Sequence, residues 1–158
     1  MIKVGINGLG RIGRAILRVN QLKRYFDVVV INDINPDIDN IAYTLNYDTL
    51  YGKQDIQFHS KDDCLVNNIG DNINIHHEQH IFDVDWSQYD VDYVIDASGI
   101  LDNVKHARDL IEKGSVKRVF VTHSPNDVDF TMVLGANEDK LDINNHKVIS
   151  TSICDATA

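Results

Sequence analysis

The sequence of 158 residues contains only two cysteines, Cys64 and Cys154, and they lie far apart in the chain. They form no CxxC pair, so the sequence suggests neither a disulfide framework nor a zinc site. No apolar run approaches the roughly 20 residues that a membrane-spanning helix needs, and we expect no membrane contact. The amino terminus, MIKVGINGLGR, shows neither a charged leader nor the apolar segment of a signal peptide, and we therefore expect a cytoplasmic protein.

Basic residues are scarce as well. Lys and Arg total 15 against 24 Asp and Glu, which gives a formal net charge of -9 at pH 7. Non-specific binding of nucleic acid needs a basic face, so we do not expect a nucleic-acid partner. His76, His77 and His80 cluster beside Glu78, but their spacing matches no zinc pattern, and we expect a solvated strand end and no metal.

Apolar segments of two kinds alternate along most of the chain. Short apolar or β-branched runs predict strands, and apolar residues at helical spacing predict helices. Strands are predicted at 2–6, 27–33, 91–98, 116–123, 130–137 and 146–152, helices at 11–25, 37–47 and roughly 102–113, and an antiparallel meander at 55–60, 64–68 and 72–77. This order predicts an α/β fold with a doubly wound, mainly parallel sheet.

The stretch GLGRIG at residues 8–13 follows the first predicted strand and opens the first predicted helix. In this context Gly8 permits a tight turn, Gly10 lets the backbone approach a pyrophosphate, and Gly13 lets the helix pack close to the strand. The free N–H groups at the start of the helix would then face the anion. A glycine-rich turn that binds nothing is the alternative, but the strand, turn and helix in register favour dinucleotide binding.

An acidic residue stands where this interpretation requires one. Asp33 ends the second predicted strand, 20 residues after Gly13. A carboxylate at this position accepts hydrogen bonds from the adenosine ribose. It favours NAD over NADP, because it would repel the additional phosphate of NADP.

The stretch KVGINGLGRIGRAILR closely resembles the opening of the glyceraldehyde-3-phosphate dehydrogenases. Further stretches resemble the same family in the same order: VVVINDINPDIDNIAYTLNYDTLYGK, DWSQYDVDYVIDASGI, VKRVFVTHSP and NHKVISTSICDATA, the last of which aligns with the family's active-site stretch. The resemblance covers essentially the whole chain. It implies a Rossmann-type domain whose cofactor is NAD.

The resemblance also implies roles for individual residues. It places Asn7, Gly8 and Gly10 in the cofactor turn, Arg11 and Ile12 at the pyrophosphate, Asp33 on the adenosine ribose, Ser98 and Gly99 along the cofactor groove, and Thr122 beside the nicotinamide. The family commonly has an arginine near the adenine, and the corresponding position here is Gln79.

The family has two domains, of which the first binds NAD and ends near the nucleophilic cysteine. The resemblance therefore implies an NAD-binding domain at 1–153 and the start of the catalytic domain at 154–158, with the remainder absent from this chain. The catalytic histidine of the family belongs to the second domain, so we expect the chain alone to be inactive. The resemblance implies a homotetrameric enzyme that acts on a phosphorylated aldehyde and inorganic phosphate.

Cys154 matches the family's nucleophile. In that mechanism a thiolate attacks the aldehyde carbon, loss of hydride leaves a thioester, and phosphate cleaves it to an acyl phosphate. A sulfur nucleophile suits this chemistry, because a thioester stays activated toward the second attack. The alternative is a cysteine packed as a small apolar residue, which is our interpretation of Cys64.

The residues on either side of Cys154 depart from the family, which has Ser before the cysteine and Thr after it. Here they are Ile153 and Asp155. Asp155 puts a carboxylate where an anion would bind and should oppose thiolate formation. Alternatively, Ser152 and Asp155 form a capping box. These changes leave open a related hydrolytic enzyme of the erythrose-4-phosphate dehydrogenase type, and a non-catalytic NAD-binding module is the alternative from another class.

Overall fold

A computed structural model describes residues 1–49 and 52–151. Within these ranges the helices are α1 (Arg11–Lys23), α2 (Ile38–Asn46) and α3 (Asn103–Glu112), and short 3-10 helices span Ile81–Asp83, Trp86–Tyr89 and Glu138–Lys140. The strands are β1 (Lys3–Asn7), β2 (Asp27–Asn32), β3 (Tyr47–Asp48), β4 (Gly52–Lys53), β5 (Phe58–Lys61), β6 (Cys64–Asn67), β7 (Asn72–His76), β8 (Tyr93–Asp96), β9 (Arg118–Val121), β10 (Phe130–Thr131) and β11 (Val148–Ser150). No helix among the described residues is long and apolar enough to cross a membrane.

The described strands build one large sheet and one small one. The large sheet has nine strands in the order β10-β11-β9-β8-β1-β2-β7-β6-β5, and β3 pairs with β4 in the small sheet. Neighbours from β10 to β7 are parallel, whereas β6 is antiparallel to both β7 and β5. This topology confirms the predicted Rossmann-type α/β fold with an antiparallel meander, which joins the main sheet through the parallel pairing of β7 with β2.

Apolar side chains cover both faces of the sheet. One face packs against α1 and α2 and buries Ile6, Leu17, Ile31, Leu45 and Leu65. The other packs against α3 and the first two 3-10 helices and buries Val30, Trp86, Val94, Val104 and Val119. Val30 and Ile31 are neighbours in β2 and belong to opposite faces, which explains why a continuous apolar run marks this strand.

Trp86 requires the absence of a side chain at Gly5. The indole is fully buried, and its Nε1 donates a hydrogen bond of 2.7 Å to the carbonyl oxygen of Ile81. A Cβ atom at Gly5 would lie 2.5 Å from Cζ3 of Trp86. The glycine in β1 is thus dictated by packing, since the large ring lies directly over the backbone.

Of the predicted boundaries that differ from the structure, two have a clear local cause. The helix predicted at 11–25 ends at Lys23, because Arg24 takes a left-handed conformation with φ 55°. The strand predicted at 130–137 pairs only at Phe130–Thr131. Beyond it the chain turns, because the side chain of Asn137 accepts a hydrogen bond from Val133 N and donates one to the Thr131 carbonyl oxygen.

Cys64 lies in the meander, away from the glycine turn. Its Sγ is 3.7 Å from Oδ1 of Asn74, to which it donates a weak hydrogen bond. Burial raises the pKa of the thiol, and the carboxylates of Asp63 and Asp62 raise it further. The thiol is therefore protonated at neutral pH and has little nucleophilic character.

Asp129, just before β10, links the start of β11 to α3 by hydrogen bonds. Its Oδ2 accepts hydrogen bonds of 2.8 Å from the backbone N–H groups of Lys147 and Val148, and its Oδ1 accepts one of 2.7 Å from Arg108. Burial alone would raise the pKa of this carboxyl, but the backbone hydrogen bonds and Arg108 hold it below its usual range. The charged form of Asp129 therefore stabilises the fold.

We expect Asp129→Asn to lower the free energy of unfolding at pH 7 by about 1–3 kcal/mol, since the amide cannot accept every one of these bonds. The folded-state pKa is lowered, so the contribution of Asp129 is present above the unfolded pKa of about 3.9 and is lost as the pH falls through the folded pKa. Urea titrations followed by Trp86 fluorescence, between pH 7 and 3, would measure the difference from wild type.

Asp127→Asn is the matched control, since Asp127 pairs with the same Arg108 at 3.4 Å but its side chain is 70% exposed. We expect this variant to change the free energy of unfolding by less than about 0.5 kcal/mol. A destabilisation by Asp129→Asn that keeps its full size at pH 3 would contradict the assigned role.

Candidate nucleotide-binding site

The carboxyl ends of β1, β2 and β8 meet at one edge of the sheet and enclose a cavity of about 230 Å³. It is lined by Asn7, Gly8, Gly10, Asn32, Asp33, Ile34, Glu78, Gln79, Ala97, Ser98 and Ile100. Ligands of open α/β sheets bind at such an edge, where helices on opposite faces begin. A larger depression of about 640 Å³, at the amino ends of β8 and β9, is lined by none of the predicted cofactor residues.

Glycines shape the turn between β1 and α1 in two different ways. Gly8 has φ +93°, and a Cβ atom there would lie 2.8 Å from the backbone of Ser98. A Cβ atom at Gly13 would lie 2.0 Å from the carbonyl oxygen of Gly8. A Cβ atom at Gly10 would meet nothing within 4 Å. Gly8 and Gly13 are therefore needed for the turn itself, whereas Gly10 keeps space open beside it.

The amino terminus of α1 offers an anion site at this cavity. The helix has Gly10 at its N-cap, with no side-chain cap and no acidic residue in its first turn. Its first N–H groups thus have no capping side chain and no carboxylate from the helix's own first turn, and they carry the positive end of the helix dipole. Since Gly10 itself lines the cavity, a pyrophosphate fits here without displacing a side chain.

Asp33 is held in place by the turn that it faces. Its Oδ2 accepts a hydrogen bond of 2.6 Å from Leu9 N, and its Oδ1 accepts one of 2.9 Å from Asn35 N. Each carboxylate oxygen still has acceptor capacity for a hydroxyl group. The structure therefore shows an oriented acid, where the spacing alone predicted only its presence.

Buried amides and a carboxylate link the strand ends below the cavity. Asn7 Nδ2 donates a hydrogen bond of 2.9 Å to Asp96 Oδ1, and Asn7 Oδ1 accepts one of 2.8 Å from Asn32 Nδ2. Asn32 in turn bonds both backbone groups of Glu78. Of these residues, sequence reasoning singled out only Asn7, although polar residues that end apolar strands are the signal that could have found the others.

Ser98 faces the cavity, but its hydroxyl is used within the protein. Its Oγ donates to Asp96 Oδ1 at 2.7 Å and accepts hydrogen bonds from Asn103 Nδ2 at 2.9 Å and Ile100 N at 3.2 Å. The neighbouring Gly99 has φ +75° and open space around its Cα. Ser98 thus shapes the turn after β8 and leaves little free bonding capacity for a ligand.

Four of the predicted cofactor residues, Arg11, Ile12, Gly99 and Thr122, do not line the cavity. Arg11 is exposed at the start of α1. The side chain of Ile12 is 53% exposed and lines an apolar groove on the outer face of α1. Thr122 follows β9 and donates its backbone N–H to the Asp96 carbonyl oxygen at 3.0 Å, which places it at the same edge of the sheet.

The carboxyl end of β11 lies at that edge as well. Ser150 Oγ donates to the His123 carbonyl oxygen at 2.7 Å, and Thr151 N donates to the Val121 carbonyl oxygen at 3.0 Å. Both ring nitrogens of His123 are buried and have no hydrogen-bond partner among the described residues. The predicted nucleophile Cys154 lies outside the residues that the structure describes, as do Ser152, Ile153 and Asp155.

The clustered histidines have separate surroundings. His76 Nε2 bonds the Tyr89 hydroxyl at 2.7 Å, His77 Nδ1 bonds the Asp33 carbonyl oxygen at 3.0 Å, and the ring of His80 stacks on Phe82. Among residues 1–49 and 52–151, no group of three or more His, Cys, Asp or Glu side chains could hold a metal ion.

Known proteins resemble this chain over most of its length. A family model described as "Glyceraldehyde 3-phosphate dehydrogenase, NAD binding domain" matches residues 2–104. Glyceraldehyde-3-phosphate dehydrogenase 1 of Bacillus subtilis is 36% identical over 97% of the chain, and glyceraldehyde-3-phosphate dehydrogenase 1 of Schizosaccharomyces pombe is 38% identical over 96%.

These matches cover 45% of the Bacillus protein and 44% of the Schizosaccharomyces protein, so the chain spans less than half the length of these relatives. The family match includes the glycine turn, Asp33 and Ser98, all of which lie at the cavity. On these grounds the chain belongs to the glyceraldehyde-3-phosphate dehydrogenase family and contains that family's NAD-binding domain.

Proposed function

We propose that this chain is the NAD-binding part of an enzyme that oxidises glyceraldehyde 3-phosphate to an acyl phosphate, with Cys154 as its nucleophile. The observation that carries the proposal is the cavity where the uncapped amino terminus of α1 and the oriented Asp33 meet. The family match and the relatives' names support the reaction. We assign 1–153 to the NAD-binding domain and 154–158 to the start of the catalytic domain.

The cavity suggests how the cofactor lies. Its pyrophosphate would bind at Gly10 and the first N–H groups of α1, beside Arg11 and Ile12, and the adenosine ribose would donate to Asp33. Ile34 is 70% exposed and Ile100 is 39% exposed, and both line the cavity, so they offer apolar surface to the adenine. Asn7 and Gly8 hold the turn, while Ser98, Gly99 and Thr122 extend the groove toward the nicotinamide.

The charge of the cavity favours NAD over NADP. Among the described residues that line it, Asp33 and Glu78 are acidic and none is basic. Gln79 lines it at the position where the family commonly has an arginine. A 2′-phosphate at this end would therefore meet like charge and no compensating cation.

The chemistry would proceed on Cys154. Its thiolate attacks the aldehyde carbon and forms a carbon–sulfur bond, and loss of hydride from that carbon leaves a thioester. Bound NAD supplies the hydride acceptor. Inorganic phosphate then displaces the thiolate and gives the acyl phosphate. A second domain would supply the histidine that handles the protons, and we propose that the complete enzyme is a homotetramer.

Calorimetric titration of NAD and NADP into the chain tests the cofactor assignment. We expect NAD to bind and NADP to bind at least about tenfold more weakly. Asp33→Asn should weaken NAD binding by about tenfold and narrow the difference between the two cofactors, because the amide loses both the charge and one acceptor.

Asp37→Asn is the control, since Asp37 is an exposed N-cap of α2 whose Oδ1 accepts from Asn40 N. It should lower stability slightly and leave NAD affinity unchanged. If the titration shows no heat of binding at millimolar NAD, the cofactor assignment is wrong.

Thiol labelling tests the nucleophile and the effect of Asp155 within this chain. With iodoacetamide at pH 7, we expect Cys154 to react faster than Cys64, because burial raises the pKa of the Cys64 thiol. Two like charges about 4 Å apart repel by roughly 1–4 kcal/mol, so Asp155→Thr should speed the labelling of Cys154 several-fold. Mass spectrometry of the two cysteine peptides gives both rates, and Cys64 is the internal control.

If Asp155 instead forms a capping box with Ser152, the variant lowers stability and leaves the labelling rate of Cys154 as it was. A protein that contains both domains would distinguish the proposed reaction from the hydrolytic alternative. There the proposed reaction requires phosphate for steady-state NADH formation, whereas an enzyme that hydrolyses its thioester does not.

A further inference from the structure

A row of hydrogen bonds crosses the carboxyl ends of four strands, β8, β1, β2 and β7. It runs from Asp96 to Asn7 at 2.9 Å, from Asn7 to Asn32 at 2.8 Å, and from Asn32 to the backbone of Glu78 at 2.8 and 3.0 Å. Asp96 is fully buried, and Asn7 and Asn32 are 4% and 2% exposed. Buried amides of this kind must be satisfied on both their oxygen and their nitrogen.

The two amide groups in this row can each point only one way, and Asp96 fixes their orientation. Its Oδ1 is met only by donors: Asn7 Nδ2, Ser98 N, Ser98 Oγ and Asn103 Nδ2. Asn7 must therefore turn its Nδ2 toward Asp96 and its Oδ1 toward Asn32. Asn32 must then present its Nδ2 to Asn7, which leaves its Oδ1 for the Glu78 N–H.

We propose that Asp96 is a positioning residue for the cofactor site. It orients two amides in sequence and thereby holds the segment at Glu78 and Gln79, which lines the cavity three strands away. The same carboxylate oxygen fixes Ser98 on the other side of the cavity. Asp96 thus couples both walls of the cleft, and this inference rests on the cofactor placement proposed above.

The row of hydrogen bonds requires one acceptor oxygen at this position and does not require the charge. Asp96 Oδ2 has no hydrogen-bond partner among the described residues, so the full set of bonds falls on Oδ1. An asparagine could keep that oxygen in place and lose only the charge. A leucine of similar size would remove the acceptor, after which neither Asn7 nor Asn32 has a fixed orientation.

Hydrogen exchange of single amides, without cofactor, tests the row directly. In Asp96→Leu we expect the Glu78 amide to exchange at least about tenfold faster, because Asn32 no longer presents its oxygen. The Gly8 amide, which donates to the backbone oxygen of Asn32 at 2.7 Å, should keep its protection. Equal acceleration at both amides, or none at Glu78, would overturn the proposal.

Titration with NAD supplies the second readout. Asp96→Leu should weaken binding by at least about tenfold, and Asp96→Asn should stay within about threefold of wild type. Asn20→Leu is the matched control, since Asn20 is equally buried and bonds the backbone of Phe26 at both of its side-chain atoms. It lies about 15 Å along α1 from Gly10 and should lower stability without changing the affinity. If Asp96→Leu weakens NAD binding no more than Asn20→Leu, the proposal fails.

If Asp96→Leu does not fold, a second variant can test the role of Asp96. Asn32→Asp keeps the size of the side chain but puts a carboxylate oxygen against Asn7 Oδ1. If Asp96 fixes Asn7, this variant should bind NAD at least about tenfold more weakly than the charge-matched Asn35→Asp. Equal affinities would show that the side-chain amide of Asn7 can flip freely, and they would contradict the proposal. Failure of the wild-type chain to bind NAD would instead refute the cofactor placement, and the exchange result would still decide the role of Asp96.

Discussion

The close contact between the start of α1 and the turn after β1 is the constraint on which the site depends. Cβ atoms at Gly13 and Gly8 would lie 2.0 Å from the Gly8 carbonyl oxygen and 2.8 Å from the Ser98 backbone. Three segments can therefore meet at one point only because two of their residues lack side chains. Their meeting directs the first N–H groups of α1 at the cavity and brings Asp33 to Leu9 N. The anion site is thus a consequence of backbone packing, and it does not require a basic side chain.

That consequence matters because the chain carries a formal net charge of -9 and yet binds an anionic cofactor. The first turn of α1 contains no acid, while the acids of the cavity, Asp33 and Glu78, follow the carboxyl ends of β2 and β7. A helix amino terminus contributes about 0.3–1 kcal/mol to a nearby anion, which a carboxylate 4 Å away would cancel. Asp33 nevertheless bonds Leu9 N, directly before that terminus, so the proposed placement puts an uncharged hydroxyl group, and not a phosphate, against its carboxylate. This arrangement would orient the proposed ligand, with its phosphates at α1 and its uncharged ribose and base at Asp33.

Local sequence patterns predicted the strands that are buried on both faces of the sheet. The runs in β2 and β9 and the glycine turn were recognisable because burial and tight turns restrict residue type at each position. The turn at 132–137 was not, because the hydrogen bonds of one side chain, Asn137, override an apolar stretch. The row from Asp96 to Glu78 depends on which strands are neighbours, and strand order is not a local property. Asn32 and Asp96 are 64 residues apart in the sequence, and only the parallel register of β2, β1 and β8 brings both next to Asn7.

Strand order also determines how long the ligand must be. In the proposed placement the adenosine end of the cleft is at β2, and the chain toward Cys154 continues from β11, four strands away through β1, β8 and β9. At about 4.8 Å per strand this is a span of roughly 19 Å. A mononucleotide held at Asp33 would end near the glycine turn, whereas a dinucleotide continues past Ser98 to Thr122, the last strand end before β11. The proposed placement therefore matches the cofactor's length to the position of β11 at the same edge, and Asp96 stands midway, where its carboxylate bonds Asn7 of β1 and Ser98 in the turn after β8.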